Sequence, residues 1–385
     1  MLKVLVIQRI FTYYRTALFS KLCLQQSLYP QYTIAFGEES IPGRIASFKC
    51  ETELPSHLQI KSVFLKNIYL FKKILWQKSL LSHIIRCKYN AVIFEACPFY
   101  LSTWIGAILA KLLNIKVFFW GHGFKREEKG IKLWLRCRFY SMADALLVYG
   151  KRGKALLIKA GFKESNIFII NNSIDIELQN KIMASISVDT INKYKRDLFV
   201  NHHLPTLLWV GRLTKKRRLD MLIISGNTLI EKGLPVNILL VGDGEDYSNL
   251  YNLVLKLNLE RYVRFFGACY EEETLGKLFS LSQILVSPGP VGLSCIHALA
   301  YGIPVITNND FNHQGPETDA IIPGINGDFF KTGDQNDLSS LIERWLAKVS
   351  NSDTYKKSCL EQIKNYSPQF QSEMINFVIE KYLIH

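Results

Sequence analysis

Short runs of β-branched, aliphatic and aromatic residues alternate with longer stretches of helical period along the whole chain. The runs fall at residues 3–7, 91–94, 116–119, 145–148 and 167–170 in the first half, and at 206–210, 236–241, 262–266, 284–286 and 304–307 in the second. Runs this continuously apolar predict strands of parallel sheets covered on both faces. The strand–helix alternation occurs twice, which predicts an α/β protein of two doubly wound, Rossmann-like domains. A polar stretch at 185–205 without a strong period lies between them, giving an N-terminal domain over 1–190 and a C-terminal domain over 203–367. Near the end, Phe370, Met374, Phe377, Val378 and Tyr382 recur at helical spacing, so an amphipathic helix is expected over about 368–385.

The 385 residues suffice for two cores, and 48% hydrophobic with 21% charged residues is a globular composition. Charge changes the picture, because the net +14 is lopsided. Residues 1–200 hold 30 Lys and Arg against 13 Asp and Glu, a net +17, while residues 201–385 are at −3. A basic surface concentrates anionic partners such as nucleic acid, an acidic membrane or phosphorylated substrates. No nucleic-acid module accompanies it, so no nucleic acid is expected. Cations within 61–88 interleave with Phe64, Tyr69, Phe71 and Trp76, and Lys125, Arg126, Lys129, Lys132, Arg136 and Arg138 lie near Trp134 and Phe139. Basic amphipathic segments with aromatic residues suit an anionic membrane surface; a solvated helix face is the alternative. The best candidate span, 101–120, is broken by Lys111 and Lys116, and the run at 2–7 is short for a signal peptide. Eight cysteines without C-x-x-C or zinc spacing read as buried, reduced thiols. The expectation is a cytoplasmic protein, peripheral on the cytoplasmic face of the membrane.

In open parallel sheets ligands bind beyond the carboxyl ends of the strands, and the second half concentrates its chemistry there. Trp209-Val210-Gly211-Arg212 ends a strand, and Lys215, Lys216, Arg217 and Arg218 follow before a helix. Glycine lets backbone approach a ligand, guanidinium forks onto phosphate, and a helix start adds its dipole. A solvated basic turn is the alternative. Val241-Gly242 and Phe266-Gly267 repeat the strand-then-glycine pattern. Ser287 to Pro290 leads through Val291, Gly292, Leu293 and Ser294 into a helix holding His297, where free amides suit an anion. Gly315-Pro316-Glu317 comes last.

In this order the segments resemble the donor domain of retaining glycosyltransferases of family 4, the group 1 glycosyl transferases of GT-B fold. The resemblance implies two Rossmann-like domains facing a cleft, with the C-terminal helix packing back on the N-terminal, acceptor-side domain. It assigns Arg212 and Arg217 to the donor diphosphate, with Lys216 as substitute, and Val291 to Ser294 to amides at phosphate and sugar. Gly211, Gly242, Gly267 and Glu317 complete the donor set. Asn172-Ser173-Ile174-Asp175 resembles a family segment at the domain junction. Trp120-Gly121-His122-Gly123 resembles the strand end whose histidine reaches the donor sugar, through its ring or its carbonyl; a satisfied turn histidine is the alternative.

Two departures stand out. The family's Glu-x7-Glu falls on Gly289 and His297. His297 can still hydrogen-bond a ribose or simply pack its helix, and the first carboxylate's role is unfilled. The N-terminal glycine pair is replaced by Tyr14 and Arg15, which suit an acceptor or donor phosphate, or a surface position at a helix start. No metal-ligand cluster and no cofactor is expected, so cations and helix-start amides would neutralise the leaving diphosphate. The implied function is metal-independent, retaining transfer of a sugar from a nucleotide-sugar to a glycan or lipid-linked acceptor, in cell-surface polysaccharide or lipopolysaccharide assembly. A nucleotide-sugar 2-epimerase of the same fold and a non-catalytic donor-binding scaffold are the competing readings.

Overall fold

The computed structural model describes residues 2–24, 30–38, 47–49, 53–54, 59–71, 73–351 and 354–384. The chain forms two compact units, Met1–Asp175 with Tyr366–His385, and Ile176–Asn365. The first unit runs β1 (Lys3–Thr12), α1 (Thr16–Leu24), β2 (Gln31–Gly37), β3 (Ser47–Phe48), β4 (Ser62–Phe64), β5 (Lys66–Leu70) and β6 (Ile74–Lys78). It continues with α2 (Leu80–Cys87), β7 (Ala91–Glu95), α3 (Leu101–Leu112), β8 (Lys116–Gly121), α4 (Gly130–Tyr140), β9 (Ala145–Val148), α5 (Lys151–Lys159) and β10 (Ile167–Ile169).

Its main sheet has the order β10-β9-β8-β7-β1-β2-β4, all parallel, with β3 pairing antiparallel to β1. Continuous apolar runs serve two cores here, because successive side chains leave a strand on opposite faces. Leu5, Ile7, Val92, Phe94, Val117, Phe119, Leu146 and Val148 pack with α2 to α5. Their neighbours Val4, Val6, Ile93, Phe118, Trp120 and Leu147 pack with α1 and with Ile375, Val378 and Ile379 of the C-terminal helix.

The second unit runs α6 (Ile176–Ser185), α7 (Val188–Leu198), β11 (Thr206–Val210), α8 (Leu219–Glu231), β12 (Asn237–Val241), α9 (Tyr247–Lys256), β13 (Val263–Gly267) and α10 (Glu272–Ser280). Then come β14 (Ile284–Ser287), α11 (Leu293–Ala300), β15 (Val305–Asn308), β16 (Gly327–Phe330), α12 (Gln335–Asn351) and α13 (Thr354–Ile363). Its six-stranded parallel sheet has the order β13-β12-β11-β14-β15-β16. The last helix, α14 (Pro368–Leu383), returns to the first unit, where Asn376 accepts a 2.6 Å hydrogen bond from Tyr32 and Gln371 accepts one from Ser173 at 2.6 Å.

Three expectations need correction. The polar stretch at 185–205 is not an irregular linker. Ser187 Oγ caps α7 by accepting from Thr190 N at 3.2 Å, and the units divide at Asp175, ahead of α6. The basic segment at 61–88 is neither one continuous amphipathic segment nor a solvated helix face: it holds β4, the antiparallel hairpin β5–β6 and α2, with Phe71 90% exposed at the hairpin turn. Lys72 lies outside the described residues. Of the cysteines, Cys50 is likewise outside them; the other seven are free thiols, but only Cys295 and Cys359 are buried.

Candidate functional site

In the second unit the strand ends are stitched into one rim. Gly211 donates to the Val241 carbonyl at 2.9 Å, Gly242 to the Gly267 carbonyl at 2.7 Å, and Leu213 to the Asp243 carbonyl at 3.0 Å. Positive φ at Gly211, Gly242 and Gly267 lets the chain leave each strand sharply. Arg212 and Lys216 are exposed beyond this rim, and Arg217 is half-buried.

The basic turn and the glycine loop form a single clasp. Arg217 Nη1 donates to the Pro290 carbonyl, and Gly289 N donates to the Arg217 carbonyl at 2.8 Å. Among the described residues no carboxylate pairs with Arg217, and burial pushes its pKa down, so a desolvated cation waits beside the loop. This contact also explains Gly289. A Cβ there would lie 2.4 Å from the Lys216 carbonyl oxygen and 2.7 Å from Arg217 Cα. The loop therefore has no room for an acidic side chain at that position.

Helix α11 starts at Leu293 after Gly292, whose φ of −135° and ψ of −139° take the chain into the helix without a side-chain cap. Leu293 and Ser294 are the first helical residues, whose amides have no partner within a helix and so can face an anion. Val291 does not share that role, because its amide donates to Gln314 Oε1 at 2.8 Å. Gln314 in turn donates to Thr307 Oγ1 at 2.9 Å, fixing the loop from behind. His297 also departs from the expected ribose contact. Its Nε2 lies 3.6 Å from Glu272 Oε1 and its ring 5.8 Å from Phe279, both on α10, so it packs the helix pair. Burial lowers the His297 pKa, with Glu272 pulling the other way. Glu317 is 5% exposed and turns its carboxylate back toward Gly315.

The first unit gathers a second cluster. β1 and β7 are neighbours from which the chain winds in opposite directions, and open α/β sheets bind ligands at the carboxyl ends around such a switch point. Arg15, just past β1, donates to Gln8 Oε1, to Tyr149 OH at 2.6 Å and to Tyr14 OH at 3.2 Å, and its guanidinium carbon sits 5.0 Å from the Trp120 ring centroid. It is therefore no surface side chain. Glu95 ends β7; it accepts from the Arg9 amide at 2.7 Å and from Tyr100 OH at 3.3 Å. His122 follows β8 with its ring exposed on one side and 5.0 Å from the Tyr149 ring on the other. Packing behind the ring, then the cations Lys125 and Arg15, push its pKa down to about 3, so the imidazole is neutral. Its carbonyl is crowded on one side by α5, where a Cβ on Gly153 would come within 2.4 Å of that oxygen.

Sequence reasoning missed Gln8, Glu95, Tyr100 and Tyr149 here, and Thr307 and Gln314 in the second unit. The strand-end rule points to Gln8, Glu95, Tyr149 and Thr307, which close or follow apolar runs; nothing in the local pattern marks Tyr100 or Gln314.

Residues 190–362 match the family model described as Glycosyl transferases group 1. The chain is 22% identical over 365 residues to an uncharacterized 41.2 kDa protein in the cps region of Klebsiella pneumoniae, covering 86% of this chain and 92% of that one. It is 24% identical over 242 residues to the lipopolysaccharide 1,6-galactosyltransferase of Escherichia coli strain K12, covering 61% of this chain and 60% of the relative. Among solved structures, Anabaena HepE in complex with UDP aligns with a TM-score of 0.75 at 15% identity, over 99% of this chain and 100% of that one. At that identity the likeness speaks for the fold.

Proposed function

We propose that the chain is a glycosyltransferase of group 1 that transfers a sugar from a nucleoside diphosphate sugar to a glycan or lipid-linked acceptor, with retention and without a metal; the family-model match over residues 190–362 and the GT-B fold support this. The observation that carries this is the clasp of Arg217 and Gly289 beside the uncapped start of α11. A diphosphate leaving group develops charge as the glycosidic bond breaks. Cations and helix-start amides fixed in advance stabilise that charge without reorganisation. Arg212, Arg217, Leu293 and Ser294 fill this role, with Lys216 at the same mouth. His122, neutral and ring-exposed, acts on the transferred sugar as a hydrogen-bonding group. Retention is supported by the family resemblance alone. HepE is described in complex with UDP and with UDP-glucose, which favours a uridine nucleotide. The galactosyltransferase relative and the relative from a cps region favour a role in lipopolysaccharide or capsular polysaccharide assembly.

The acceptor side works at a membrane surface in this proposal. Support comes from α3, where Leu101, Ile105, Ile108 and Leu112 repeat at heptad spacing and all stay exposed, Leu112 at 77%. On α4, Ile131 and Trp134 are exposed at 84% and 58%, and the α3 and α4 layers meet where Trp104 packs on Phe139 at 5.1 Å. Lys111, Lys116, Lys129, Lys132 and Arg138 are exposed on or beside these helices. An apolar stripe flanked by cations fits an anionic lipid surface such as the cytoplasmic leaflet. Among the described residues no helix is long and apolar enough to cross a membrane, so the contact is peripheral.

The test is a thermal-shift panel of nucleoside diphosphates and their sugars in excess chelator, followed by turnover with the ligand selected. Tight binding raises the melting midpoint by mass action. No shift with any nucleotide, or turnover that appears only when magnesium or manganese is added back, would defeat the proposal.

A further inference from the structure

Arg15 is a partly covered cation whose direct contacts are neutral, and the nearby Glu95 carboxylate acts on it only through space. Its contacts are the Gln8 side-chain oxygen, the hydroxyls of Tyr14 and Tyr149, and the face of Trp120, and among the described residues no carboxylate forms an ion pair with it. Glu95, at the neighbouring strand end, is bonded to the Arg9 amide and the Tyr100 hydroxyl instead. Glu95 offsets part of the cost of covering this cation, but its hydrogen bonds go elsewhere, so the guanidinium has no directly bonded counter-charge.

The neighbours deepen the imbalance. Tyr14 and Tyr149 use their oxygens to accept from Arg15, and among the described residues neither hydroxyl proton has an acceptor. Trp120 Nε1, buried beneath the guanidinium, has no hydrogen-bond partner among the described residues. The cluster thus offers a cation and several unspent hydrogen-bond donors, with few acceptors to match. It lies at the carboxyl edge of the first unit's sheet, where such sheets bind ligands.

We propose that this cluster binds an oxyanion, a phosphate or carboxylate carried by the acceptor, with Arg15 as its charge partner and Tyr14 and Tyr149 as hydroxyl donors. The word acceptor rests on the glycosyltransferase reading; the oxyanion follows from the donors themselves. Arginine suits the task because its planar fork meets two oxygens at once.

The experiment uses the full chain carrying Arg212→Ala and Arg217→Ala, which removes the other phosphate-binding cations. Inorganic phosphate is titrated by calorimetry at constant ionic strength, chloride making up the difference, and glucuronate is titrated in a second arm. Saturable binding of at least one anion should persist in this background. Adding Arg15→Met should weaken it about ten- to a hundredfold, the loss of one charge-assisted contact. Arg15→Lys should restore part of it, and Tyr149→Phe should weaken it several-fold. If neither anion binds saturably, or Arg15→Met and Tyr149→Phe leave the affinity unchanged, the proposal fails. It also fails if Arg15→Met in the otherwise native chain weakens UDP as much as Arg217→Ala does, which would place Arg15 on the donor. Absence of any nucleotide binding to the native chain would defeat the glycosyltransferase reading while leaving the anion result standing.

Discussion

Replacing Gly289 by alanine tests the clasp with a single methyl group. The new Cβ would lie 2.4 Å from the Lys216 carbonyl oxygen and 2.7 Å from Arg217 Cα, against ordinary contact at 3.4–4 Å. Loop and basic turn must separate by about 1 Å, an overpacking that typically costs about 1–3 kcal/mol. That separation also breaks the 2.8 Å bond from Gly289 N to the Arg217 carbonyl, worth about 1 kcal/mol net. Alanine stiffens the unfolded chain, which returns about 0.4–1 kcal/mol. The balance is a loss of about 2 kcal/mol in unfolding free energy, read from urea denaturation. Arg217 holds its place through Pro290, so it shifts with the loop, and UDP affinity measured by calorimetry should fall about tenfold. Gly289→Glu, which restores the carboxylate common in the family, should be worse on both counts rather than a gain. An alanine variant within about 0.5 kcal/mol of the native protein and with native UDP affinity would refute the clasp.

Three further outcomes follow from the same geometry. Arg212→Ala and Arg217→Ala should weaken donor sugar and nucleoside diphosphate together, by about ten- to a hundredfold, whereas His122→Ala should spare nucleotide binding and lower kcat; His122→Ala abolishing nucleotide binding while Arg212→Ala does not would reverse the assignment. Because the native state holds His122 near a pKa of about 3 while the unfolded chain titrates at 6.5, only the unfolded state gains this proton as pH falls between those values. Stability should therefore decline from about pH 6.5 downward more steeply in the native protein than in His122→Gln, and parallel pH–stability curves for the two would sink that reading. In liposome flotation, Ile108→Ser with Leu112→Ser should lose binding to anionic vesicles, and 1 M salt, with a Debye length of about 3 Å, should weaken it in the native protein; equal binding to neutral and anionic vesicles would remove the membrane from the proposal.

The two parallel sheets were legible in the chain because strands buried on both faces must be apolar at nearly every position, as Val4 to Ile7 and Leu207 to Trp209 are. Strand-end glycines and the cations after Val210 were legible for a related reason: a sheet that binds at its carboxyl edge places its chemistry directly after its apolar runs. β2, the hairpin β5–β6 and β16 were not legible, since their runs are short or mixed and take their burial from neighbours remote in sequence. The helix α7 was hidden as well; it has no buried residue of its own and is held by a capping serine and by contact with α10. The division at Asp175, the turning of His297 toward Glu272, the loss of the Val291 amide to Gln314 and the crowding of the His122 carbonyl by Gly153 depend on residues distant along the chain. Local sequence records what a position must bury and where a strand must end. Which atoms of a polar residue remain for a ligand is settled by whichever elements pack beside it, and that is a property of the folded chain.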